Sequence, residues 1–193
     1  MMDFKALAIE TITNPAQAAR SVLAQRFEAD VVWTGFGLTV VLSVFLYALQ
    51  AQLLGLPSNA LFPNLSPALF GGFLVVLQLG YAICSVTIGR WMGGQAAFVP
   101  FFALLVWLRF VNIAVQAIAI VLVFIVPPVA AILNLVAAIY GIYVLAHFTN
   151  EGLGLNALGK SFGVIFMAGL GAMTAVLILM GLFAPTILET SNV

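Results

Sequence analysis

The chain has 193 residues, of which 64% are hydrophobic and only 6% charged, and its mean hydropathy is +1.23. Soluble domains carry about 25% charged residues, so this chain cannot build a water-compatible surface, and an integral membrane protein in one compact domain follows. Six basic and six acidic side chains cancel, which excludes the basic footprint of a nucleic-acid binder.

Residues 1–30 are the most polar stretch and lack the basic start and apolar run of a signal peptide. Phe4, Leu7, Ala8 and Ile12 recur at helical spacing opposite Asp3, Lys5 and Glu10. Asn14-Pro15 pairs a good N-cap with a residue favoured at the first helical position. A second stripe follows at Ala16, Ala19, Leu23 and Phe27. Two amphipathic helices at the cytoplasmic membrane surface fit this pattern.

Five apolar stretches then read as spans, over 31–54, 67–89, 98–126, 129–148 and 160–184, each long enough against the ~20 residues a crossing needs. The segment Gly55–Ser66, with two prolines, is a turn-rich loop that includes the sequon-like Asn64-Leu65-Ser66. Pro127-Pro128 forces a break between the third and fourth spans and makes them an antiparallel hairpin. Pro185 is expected to stop the fifth span, leaving 185–193 as an external tail. The predicted fold is all-α: a five-span bundle preceded by interfacial helices.

The third span carries Arg109, Asn112 and Gln116, at i, i+3 and i+7 on one helical face. Polar groups in hydrocarbon normally turn toward protein or a wet crevice. One reading is a polar crevice for an anionic headgroup or solute. The other is an Arg snorkelling to the interface beside two amides that bond between helices. At 1.5 Å per residue the stretch 98–126 would span about 43 Å, against a core of ~30 Å, so its first third is expected near the interface. Gly159, Gly163, Gly171 and Ala175, all separated by multiples of four, form a second candidate face, for close helix packing or self-association.

Charge sets the orientation. Lys5, Arg20, Arg26, Arg90 and Lys160 all fall on the first, third and fifth non-membrane segments, and none on the others. The amino terminus is therefore expected in the cytoplasm and the carboxyl terminus outside a multi-pass inner (plasma) membrane protein.

Cys84 and His147 are each single, so no intrachain disulfide is expected, and neither a metal site nor a cofactor. A catalytic His would need a nucleophile and an orienting acid within reach, and the sequence marks neither. Gly93-Gly94 lacks the Lys-Ser or Lys-Thr of a P-loop. No enzyme activity is expected.

Several features together resemble the Yip1-domain family in its short bacterial form. They are the Asn14-Pro15 start running to Arg20, Arg90…Gly93-Gly94…Phe98, Trp107-Leu108 toward Gln116, Pro127-Pro128, and Gly154…Ala157-Leu158. The resemblance implies a five-span helical membrane protein with a cytoplasmic amino terminus. The long cytosolic region and the Asp-Leu-Tyr-Gly-Pro element of the vesicle-trafficking members are absent from this sequence, and that role is not carried over. Two functions stay open. One is a non-enzymatic protein that organises the lipid bilayer, other membrane proteins or its own oligomer. The alternative is a small permease or lipid- or solute-binding protein that uses the polar face of the third span.

Overall fold

The structure, a computed structural model, describes residues 4–55, 66–95 and 97–190. Seven helices follow in order, with no strand among the described residues: α1 (Phe4–Thr13), α2 (Pro15–Ala24), α3 (Ala29–Leu54), α4 (Pro67–Trp91), α5 (Phe98–Ile125), α6 (Pro127–Leu153) and α7 (Leu158–Thr190). Five of them, α3 to α7, are long and apolar enough to cross a membrane. Residues 56–65, which hold most of the predicted loop and its sequon, and 191–193 of the tail lie outside the described residues.

Local chemistry explains most boundaries. The Asn14 side chain accepts from the Gln17 N–H at 3.3 Å, and Pro15 takes the first position of α2, where a missing N–H costs nothing. Ser66 caps α4 in the same way, accepting from the Leu69 N–H at 3.3 Å ahead of Pro67. Pro100 sits at the third position of α5, where its absent N–H is also one that no carbonyl awaits.

Several expected boundaries move. The fourth helix begins at Pro127, not Val129, because only Val126 is extended and both prolines fit the first turn of α6. It also runs on to Leu153, since nothing breaks it before Gly154, which closes it in the left-handed conformation (φ 64°). Pro185 does not end the last helix: α7 starts at Leu158 and continues to Thr190, its apolar span covering Leu158–Leu179. A proline inside an apolar helix removes one hydrogen bond, and such helices tolerate the loss.

Around the bundle the neighbours run α3, α5, α6, α7, α4 and back to α3, with α4 and α5 also touching across the middle. The main core lies at the amino-terminal end of α5. There Phe101, Phe102, Leu104, Phe148 and Leu153 are fully buried, and Ala18, Ala19 and Val22 of α2 pack over them. Trp33 of α3 adds an aromatic cluster, its ring 5.3 Å from Phe102 and 6.0 Å from Phe36. The connection between α4 and α5 is pinned to the end of α6 by the Gln95 N–H, which donates to the Leu153 carbonyl at 3.1 Å. A Cβ on Gly94 would lie 2.5 Å from that same carbonyl oxygen, so this glycine is present for close approach and not for phosphate.

The helices α1 and α2 dock on the flanks of α5 and α6. The Trp107 indole donates to Thr11 Oγ1 at 2.9 Å, and the Tyr140 hydroxyl donates to the Ile12 carbonyl at 2.5 Å. Ser21 of α2 donates to Glu10 of α1 at 3.2 Å. The buried stripes differ by about a residue from the periodicity. In α1 they are Leu7 and Thr11, with Phe4 and Ile12 exposed and Ala8 half-buried. In α2 they are Pro15, Ala18, Ala19 and Val22, with Ala16 and Leu23, and Phe27 beyond the helix, half-buried. The hydroxyl of Thr11 explains the α1 shift: it is carried inward because Trp107 offers a donor there.

Candidate functional site

Where α4, α5, α6 and α7 diverge they leave a cavity of about 720 Å³, closed on one side by Thr11 and Ile12 of α1. Pockets that bind small molecules measure about 300–1,000 Å³, so the space can take a ligand. Its walls are mostly aliphatic, with Leu74, Val111, Val115, Leu133 and Val136 among them. Its polar lining residues are Arg109 and Asn112 of α5, Gln78 and Tyr81 of α4, Tyr140 of α6 and Thr11 of α1.

Arg109 and Asn112 thus reach the same space, as their spacing requires. Gln116 is half-buried one turn further on and does not line the cavity. Arg109 is the one charged side chain of the lining. Among the described residues no carboxylate or other acceptor reaches its guanidinium. It stands at a boundary in the fold. Before it, α5 is enclosed by α2, α3 and α6. After it, Ile118, Val121, Phe124 and Ile125 of α5 and Ile132, Leu135 and Ile139 of α6 are exposed, as they would be against lipid.

Gln78 and Tyr81 were not anticipated from the sequence. They lie at i and i+3 on α4, with Ser85 at i+7, so the signal was the one that marked Arg109: polar residues on one face of an apolar helix. The Gln78 Nε2 is buried without a hydrogen-bond partner. The Tyr81 hydroxyl lies near those of Ser85 and Thr149 without forming a regular hydrogen bond to either. His147 packs edge-on against Tyr143 at 4.5 Å, and its Nε2 meets no partner. Among the described residues no three His, Cys, Asp or Glu side chains converge as metal ligands do.

The small-residue face of α7 also shifts. Ser161, Val164, Ala168, Ala172 and Val176 form the buried seam against the bundle. Gly159 is exposed, while Gly163, Gly171 and Ala175 flank the seam half-buried. Close approach is real at one place: a Cβ on Gly171 would lie 2.9 Å from Cys84 Sγ, and one on Gly80 would lie 3.6 Å from the Ala172 Cα. The partner is α4, within the same chain.

The Yip1 domain family model matches residues 9–180. The chain belongs to the Yip1 domain family. The matched range takes in α2 to α6 whole, most of α7 and the end of α1 that closes the cavity. No curated protein and no solved structure matches this Yip1-domain chain.

Proposed function

We propose that this Yip1-domain protein works without catalysis, as an organiser of the bilayer, with its basic end in the cytoplasm and its partners the lipids and other membrane proteins around it. The observation that carries this is the seating of α1. Trp107 and Tyr140 fix its inner side, while Phe4 and Ile9 project outward, each more than half exposed. An apolar flank held at one end of a membrane bundle enters the adjacent leaflet at headgroup depth. It adds area to that leaflet and to no other. Lys5, Arg20, Arg26, Arg90 and Lys160 at the same end would favour an anionic surface.

The full chain reconstituted into vesicles tests this. It should reduce vesicle diameter, and Ile9→Glu, which removes apolar contact without touching either hydrogen bond, should abolish the effect. Vesicles of equal size with the two proteins would refute the wedge. The second reading, a lipid-binding protein or small permease, is favoured by the cavity at Arg109.

A further inference from the structure

We infer that the cavity holds one net-anionic glycerophospholipid, its phosphate seated on Arg109 and its acyl body against the aliphatic walls. The inference rests on the interior of the bundle, independently of the outer flank of α1 that carries the wedge.

One charged donor in the lining lacks an acceptor: the Arg109 guanidinium meets none among the described residues. A guanidinium presents five N–H groups in a planar fork that matches the paired oxygens of a phosphate. A donor left unsatisfied away from water is costly, and Arg109 lines the cavity. An anion with several acceptor oxygens satisfies its fork.

The rest of the lining decides what the anion is attached to. Beyond a few hydroxyls and amides the walls are aliphatic, so a free hydrated anion would lose its water without replacement, whereas an acyl chain gains by burial. The position agrees: Arg109 stands where α5 passes from enclosure by protein to a partly exposed apolar surface, along which an acyl chain can continue. The headgroup charge follows as well. A zwitterionic lipid would bring a cation into a lining whose one charge is already positive. A net-anionic lipid brings none.

The full chain, purified in detergent and stripped of lipid, is offered equal amounts of phosphatidylglycerol and phosphatidylcholine and weighed by native mass spectrometry. We expect one phosphatidylglycerol per chain in preference to phosphatidylcholine. Arg109→Gln should lower retention by about tenfold or more, as expected for a lost charge-assisted pair, and Arg109→Lys by less. Gly169→Leu is the second variant. Gly169 lines the cavity and has open space where its Cβ would stand, so leucine there fills the cavity while raising helix propensity. It should lose the lipid with the unfolding midpoint of the lipid-free protein kept. If Arg109→Gln does not fold, Gly169→Leu decides alone. Equal retention of the two lipids, undiminished binding by Gly169→Leu, or displacement of the lipid by stoichiometric inorganic phosphate would each overturn the inference.

Discussion

Replacing Leu7 by alanine isolates the force that holds α1 on the bundle. Leu7 is 4% exposed and is the chief apolar residue that α1 buries, a contribution of about 1.5–3 kcal/mol. The Trp107–Thr11 and Tyr140–Ile12 bonds add about 0.5–1.5 kcal/mol each. The side-chain contacts that dock α1 therefore contribute about 2.5–6 kcal/mol. Removing the Leu7 side chain takes away at least ~2 kcal/mol of it. A helix docked by so little must then open far more often. Amide hydrogen exchange in nanodiscs reads this directly: protection over residues 4–13 should fall about thirtyfold, since ~1.4 kcal/mol is a factor of ten. Protection in α3 to α7 should hold, because Leu7 is the one side chain that α1 gives to the main core. Unchanged exchange in α1 would show that the bilayer, and not the bundle, keeps this helix in place.

Two further outcomes separate the alternatives left by the sequence. Gly171→Leu should lower the unfolding midpoint through a loss of about 1–3 kcal/mol, because its Cβ would meet Cys84 at the α4–α7 contact, while Gly159→Leu should be neutral in the monomer. If instead Gly159→Leu disrupts an oligomer seen by size exclusion, that glycine belongs to an interface between copies. Reporter fusions within residues 56–65 and after Val193 should both report the outer side, and a cytoplasmic signal from the second would defeat the orientation drawn from charge.

Much of this architecture is legible along the chain because membrane helices are written in one dimension. Length and hydropathy suffice to mark five spans, since a crossing helix must satisfy its own backbone and present apolar side chains for ~20 residues. The Asn14-Pro15, Ser66-Pro67 and Pro127-Pro128 boundaries are local too, each set by a cap or a missing N–H. Even the convergence of Arg109 and Asn112 needs only the helical repeat.

What the repeat does not decide is which neighbour a face meets. The spans are apolar almost all round, so periodicity cannot tell a lipid-facing side from a packed one. Thr11 turns inward only because Trp107, far along the chain, donates to it. The seam of α7 centres on Ala168 and Ala172, and not on the glycines, because α4 brings Gly80 and Cys84 to that side. Gln78 and Tyr81 joined the site for the same reason: an isolated amide and phenol in an apolar helix acquire meaning when another helix sets an unneutralised arginine across the same cavity. The cavity itself is a property of how four helices diverge, and tertiary packing alone decides that.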